Sequence, residues 1–284
     1  MVKTMAIVAA VDGRYWDYVP LFVYSINLAY PEYMPIIVGR GGIPSDVLKL
    51  IECHGLKCLL LGDALLDVVP TAWGMKASRV VINLPVLHEY SAVYITDVDF
   101  LIIREPVSIM ETHLIDCIEE GLCYSNTFHG EALDRGPRMM GMHFFVTRPY
   151  FEKMASTMQE YRLMLETPGG VAELRRAWHN PLLGGADAQF GLYLMLMEAR
   201  MGLPQNKADP LRPYHGIHLG HARVDGRWEM FVKNQTGFRK MPGPVDYYHQ
   251  EYIRLRSHPT YQRLFDAAPG LIQDEIRAFD DACL

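Results

Sequence analysis

The chain lacks the cysteine pattern of a disulfide scaffold or a zinc ribbon. Its five cysteines, Cys53, Cys58, Cys117, Cys123 and Cys283, are odd in number and contain no Cys-x-x-Cys pair, so reduced thiols are the expectation. Cys53, His54 and Cys58 lie close together, but no second ligand pair shows the spacing of a structural zinc site. A basic excess is missing too. With 27 Lys and Arg against 33 Asp and Glu the formal net charge is -6, which argues against a nucleic-acid binder. No apolar run reaches the roughly 20 residues that a membrane-spanning helix needs. The apolar stretch near the N-terminus is closed at once by Asp12 and Arg14, too short and too polar for a secretory signal. Internal repeats, low-complexity tracts and flexible linkers are also absent. The chain reads as cytoplasmic, with contact to the inner face of a membrane left open.

What is present is ample apolar material: half of the 284 residues are hydrophobic and 21% are charged. That suits one large α/β unit with a C-terminal extension, divided here into residues 1–235 and a helical extension over 236–284. "TMAIVAAVD" reads as a buried first strand, and "YVPLFVYSINLAY" as a helix that ends before Pro31. "MPIIVGRGG" is a second strand. "IPSDVLKLIECHG" is a helix with Ser45 as its expected N-cap, and "LKCLLLGD" is a third strand. Strands alternating with helices predict βαβ units and a mostly parallel sheet. "MKASRVVINLPVLHEY" reads as a helix broken near Pro85, and "SAVYITDVDFLII" as one buried strand. Further strands are expected in "GLCYSNTFHG" and "MMGMHFFVTRPYF". An amphipathic helix follows, then an interruption at "TPGG", a short helix, and the glycine-rich "PLLGGADAQFGLYLMLMEARMG" feeding another helix. From about Pro242 onward the pattern is helices and turns.

Asp97 and Asp99 stand at the end of that buried strand. Residues two apart on an extended strand face the same way, so both carboxylates can address one point at the carboxyl edge of the sheet, where ligands of such folds bind. Paired hard oxygens suit Mg²⁺ or Mn²⁺, and burying two unpaired carboxylates is costly without a cation. Imidazole ligates Mn²⁺ readily. "YHGIHLGHAR" therefore offers His215, His218 and His221 as candidates for a third ligand.

Several blocks in this order resemble the GT-A nucleotide-sugar glycosyltransferases, and most closely the retaining glycosyltransferase family 8. "AAVDGRYWDYVPLFVYSI" carries Asp12, Tyr15 and Ser25 at the family's spacing. The resemblance implies that Asp12 bonds the uracil edge and Tyr15 stacks on the ring, which agrees with the chemistry of a carboxylate and an aromatic face. "ASRVVINLPVLHEYSAVYITDVDFLI" places Arg79, Pro85, Tyr94, Asp97 and Asp99 in register. It implies Arg79 against the donor sugar or diphosphate and paired with an Asp of the motif, with Lys76 as a second phosphate candidate. In "MMGMHFFVTRPYF" Gly141 matches, but Met139 and Met140 replace an Asn-Ser pair. "GGADAQFGLYLML" supplies Asp187 and Gln189, either of which could face the anomeric carbon or bind donor hydroxyls. In "HLGHAR", His218 matches the metal ligand, and Arg223, with Lys233 as fallback, matches the lysine that holds diphosphate. The likeness covers roughly residues 4–230.

The resemblance implies a GT-A (Rossmann-like), mostly parallel mixed sheet flanked by helices. It implies a metal-dependent enzyme that moves a hexose from a UDP-sugar to a hydroxyl of a glycan or glycolipid, with retention. Mn²⁺ or Mg²⁺ would be held by Asp97, Asp99 and His218. A sugar-phosphate nucleotidyltransferase ranks lower, because "AAVDGRYWDY" has no glycine-rich loop with basic residues. A non-catalytic sugar-nucleotide or glycan-binding module is the alternative from another class. The C-terminal helices are candidates for an acceptor site, a homodimer interface or a peripheral membrane contact.

Overall fold

A computed structural model of the chain describes residues 3–65, 72–126, 139–180, 184–204, 215–219 and 245–283. The first strand, β1 (Lys3–Val11), is followed by α1 (Val19–Ala29), β2 (Met34–Gly39), α2 (Ser45–Cys53) and β3 (Leu59–Leu61). The next elements are α3 (Ala72–Val80), β4 (Tyr90–Thr96), β5 (Phe100–Ile102), α4 (Ile109–Glu120), β6 (Tyr124–Ser125) and β7 (His143–Val146), and further on β8 (His179–Asn180) and β9 (Gly185–Ala186) pair with each other. A six-stranded sheet runs in the order β3-β2-β1-β4-β7-β6. The pairs from β3 to β4 are parallel, and β7 is antiparallel to both β4 and β6. This is the α/β, mostly parallel mixed sheet that the strand–helix alternation predicts.

β1 explains why the sheet is covered on both faces. Met5 through Ala9 are all fully buried, as a continuous apolar strand in a parallel sheet requires. Alternation then divides the strand between two cores. Met5, Ile7 and Ala9 pack with α1, whereas Ala6 and Val8 pack with α3, α5 (Thr147–Leu165) and α7 (Ala188–Glu198). The C-terminal helices, Val245–Ser257, Pro259–Ala267 and Gly270–Cys283, extend the first core through Tyr252, Leu264 and Ile276. Tyr18 Oη donates to Glu275 Oε2 at 2.8 Å and Tyr24 Oη to Leu255 O at 3.0 Å, which ties these helices to the α1 side. No helix among the described residues is long and apolar enough to cross a membrane.

Three local expectations are corrected. Ser45 does not cap α2: it is the first residue of the helix, Pro44 stands at the cap, and no side chain bonds the freed amides. The chain is interrupted near "TPGG" as expected, but the break covers only residues 166–167 and the second helix starts at Pro168 instead of at "VAELRRAWHN". In α6 (Pro168–Ala177) the Thr167 hydroxyl accepts from Gly170 N and Pro168 starts the first turn, a strong N-terminal combination. Finally, residues 91–103 do not form one strand. The chain bends between β4 and β5, across Val98 and Asp99, so the acid pair sits at a corner and not on extended backbone.

Candidate active site

The corner after β4 lets β5 leave the main sheet and pair antiparallel with β10 (Gly216–His218), matching His218 with Phe100 and Gly216 with Ile102. Leu219 N donates to Asp99 O at 2.8 Å. Gly216 is needed here, because a Cβ would overlap the Leu101 carbonyl. The His218 ring stacks on Phe100 at 4.4 Å, and its Nε2 lies 3.2 Å from Asp99 Oδ1. One ligand atom each from Asp97, Asp99 and His218 falls within 4.8 Å of the others. Two ligands held at right angles about 2.1 Å from one cation sit about 3 Å apart, so the Asp99–His218 separation and the O,O,N donor set fit Mn²⁺ or Mg²⁺. Asp99 is buried and Asp97 is half-buried. His215 faces away from this trio, toward Glu105 and His113. His221, Arg223 and Lys233 lie outside the described residues. Cys53, His54 and Cys58 form no ligand cluster among the described residues.

Arg79 reaches the same corner from the last turn of α3 and pairs with Asp97. Burial by itself raises the Asp97 pKa. Arg79, His218 and the exposed Lys76, one turn earlier on α3, outweigh it and hold the carboxyl below its ordinary value. Gly141 lies under the guanidinium: a Cβ there would stand 2.7 Å from Arg79 Nη2 and 3.1 Å from Gln189 Nε2. Arg79, Gln189 and Asp97 are thereby gathered at one place. Arg79 Nε and Gln189 Oε1 are buried without a hydrogen-bond partner among the described residues. Asp187 has a local task as the N-cap of α7, where its Oδ1 accepts from Gln189 N at 3.2 Å. Its cap geometry is what turns Gln189 into the first turn of the helix.

The loop carrying Gly141 is held by a residue that the sequence pattern did not single out. Asn126 Oδ1 accepts from Met140 N at 2.9 Å, and its Nδ2 donates to Met140 O at 3.2 Å and to His143 Nδ1 at 3.0 Å. That leaves the His143 proton on Nε2, which lies 3.0 Å from Tyr150 Oη. Burial pushes the His143 pKa down to about 3.

Asp12 and Tyr15 stand at the same carboxyl edge, just after β1. Arg40, just after β2, pairs with the Asp12 carboxylate, and its backbone N donates to Val11 O at 3.1 Å. Arg40 escaped sequence reading because it becomes the neighbour of Asp12 only when β1 and β2 pair, Val11 opposite Gly39. Tyr15 is half-buried, with the Arg14 guanidinium 5.9 Å from its ring. Ser25, which matched the family block, is not at this surface. It is fully buried; its Oγ accepts from Ile102 N at 2.9 Å and donates to Phe22 O at 2.7 Å, anchoring β5 to α1.

No family model matches the chain, and no curated protein does. Among solved structures it is similar to the galactosyltransferase LgtC in complex with donor and acceptor sugar analogues. The identity is 16%, over 64% of this chain and 71% of that one, with a TM-score of 0.35. It is also similar to an active-site mutant of LgtC at 14% identity, over 64% of this chain and 70% of that one, with a TM-score of 0.36.

Proposed function

We propose that the chain is a metal-dependent glycosyltransferase that moves a hexose from a UDP-sugar to a hydroxyl of a glycan or glycolipid, with retention of configuration. The observation that carries this reading is the cluster of Asp97, Asp99 and His218 with Arg79 paired to its rim. A bound Mn²⁺ or Mg²⁺ would act as a Lewis acid that stabilises charge on the departing diphosphate. Arg79 and Lys76 add positive charge on the α3 side, and Arg223, outside the described residues, is assigned to the diphosphate.

Asp12 and Arg40 side by side form an acceptor and a donor. That pattern complements the imide N–H and neighbouring carbonyl of uracil, and opposes the reversed pattern of cytosine. Tyr15 supplies a stacking face. Gln189 is assigned to the donor hydroxyls or the anomeric region, since its unpartnered Oε1 and the Arg79 Nε would both be complemented by a polar ligand. Asp187 is assigned to holding Gln189, and no carboxylate is assigned as a nucleophile, so transfer proceeds without an enzyme-bound sugar. Residues 1–235 form the catalytic unit in this reading and 236–284 the helical extension.

Calorimetric titration of UDP with Mn²⁺, repeated with the metal chelated, tests the proposal. Metal-dependent micromolar binding is expected, followed by slow hydrolysis of one UDP-sugar in a donor screen. Absence of binding in both conditions would remove the nucleotide-sugar assignment.

A further inference from the structure

Behind the metal cluster runs a chain of buried polar side chains that the proposed reaction does not use. His215 Nδ1 lies 2.8 Å from Glu105 Oε2, and His215 Nε2 lies 2.9 Å from His113 Nε2. His113 Nδ1 lies 2.8 Å from Ser125 Oγ, which donates to Asp116 Oδ2 at 3.1 Å. Glu105, His215, His113 and Ser125 are all more than nine-tenths buried. Rings enclose them: Tyr94 stands edge-on to His215 at 5.4 Å, and Phe144 stacks on His113 at 4.9 Å. Withdrawing so many polar groups from water is unfavourable unless each is satisfied, and apolar side chains would fill the space at less cost.

The place where this chain attaches suggests its use. His215 opens the segment 215–219, which delivers His218 to the acid pair. β10 is three residues long and, among the described residues, pairs only with β5. So short a strand is weakly held in register, and a slip of one residue would turn His218 to the opposite face. His215 also has φ +55, the left-handed region, which a non-glycine residue keeps only where its surroundings over-determine it. Glu105 and His113 grip the two ring nitrogens from opposite sides, while Ile103 N donates to His215 O at 3.2 Å. The backbone bend and the ring are thus fixed together, three residues before the metal ligand.

We infer that the Glu105–His215–His113 chain is the positioning anchor of His218, setting where the 215–219 segment starts and hence bringing its imidazole to Asp99. The inference rests on the metal reading of Asp97, Asp99 and His218. It assigns His215 a role that the His-rich motif alone could not distinguish from metal ligation.

The test is Mn²⁺ affinity of the full chain, by calorimetry without nucleotide, alongside thermal melting. His218→Ala is expected to weaken binding about 10–100-fold, the range for losing part of a metal's ligand shell or its support. Glu105→Leu should weaken it to a similar level. Glu105→Gln should stay within about threefold of the parent, because an amide can either donate to His215 Nδ1 or accept from it. A Glu105→Leu protein that melts earlier but binds Mn²⁺ as the parent does would show the chain to be scaffolding only and overturn the inference. Should Glu105→Leu fail to fold, His215→Asn decides. Asparagine tolerates the left-handed backbone and keeps a group on the Glu105 side while losing His113, so a folded variant must show a several-fold weaker affinity. Unchanged affinity there overturns the inference as well. A parent that binds no Mn²⁺ overturns the metal reading and this inference together. A difference between parent and His218→Ala that Glu105→Leu does not share defeats the inference alone.

Discussion

Protonating His143 is a perturbation whose cost follows directly from its surroundings. The side chain is 4% exposed. An amide donor from Asn126 faces Nδ1 and the Tyr150 hydroxyl faces Nε2. A second ring proton would meet the Asn126 amide donor head-on in a buried site. Burial accordingly pushes the pKa from 6.5 down to about 3. Above pH 6.5 neither the folded nor the unfolded chain binds this proton, and stability is unaffected. As the pH falls below 6.5 the unfolded chain takes up a proton that the folded chain refuses, so stability is lost progressively until about pH 3. One pKa unit corresponds to about 1.4 kcal/mol, which makes the loss roughly 2 kcal/mol at pH 5 and at most about 5 kcal/mol at pH 3. Against a total of about 5–15 kcal/mol for an ordinary domain that is readily measured. Urea unfolding at pH 7 and pH 5 should show the parent losing about 2 kcal/mol more than His143→Gln, whose amide can serve both neighbours without titrating. Equal losses in the two proteins would refute the burial argument. The same measurement bears on the site, because Asn126 is shared between His143 and Met140, one residue from Gly141.

Asp99→Ala should abolish Mn²⁺-dependent UDP binding and donor hydrolysis while circular dichroism stays unchanged; full turnover in that variant would sink the metal assignment. Gly141→Ala places a methyl 2.7 Å from Arg79 Nη2. The tip of a long side chain can give way, so melting should shift by only a few degrees. The guanidinium must move, however, and donor hydrolysis should fall about 10–100-fold, as misplaced catalytic groups do; undiminished kcat/KM would show that the Arg79 position is not critical. Arg40→Ala removes the donor beside Asp12, and competition binding should show UDP losing much of its preference over CDP, by about tenfold. A preference that survives the substitution takes Arg40 out of base recognition.

The order of strands and helices was legible in the chain because it is written in local patterns. A continuous apolar run makes β1, apolar residues at helical spacing make α1, and a proline ends it; each depends on residues within one or two turns of one another. Asp97, Asp99, Arg79 and His218 were legible for a related reason, since their residue types and sequence order suffice to suggest a metal and an anion. The details that decide the chemistry were not. One strand was expected through the acid pair, and the break between β4 and β5 became visible only with β10 in place to receive β5. Residue type alone left His215, His218 and His221 open as ligands, and only the family spacing favoured His218. The antiparallel register of Gly216–His218 on Phe100–Ile102 selects His218 and turns His215 toward Glu105 and His113. Ser25 matched a nucleotide-site block but serves as a buried bracket, and the capping of α7 by Asp187 shows only in the fold. Arg40 beside Asp12 and Gly141 beneath Arg79 join residues far apart in the chain. Sequence by itself determined which segments would fold and which residue types could bind a metal and a nucleotide, because propensity and periodicity act locally. Tertiary structure alone decided which of those residues meet, because register and strand order are set by packing across the whole sheet.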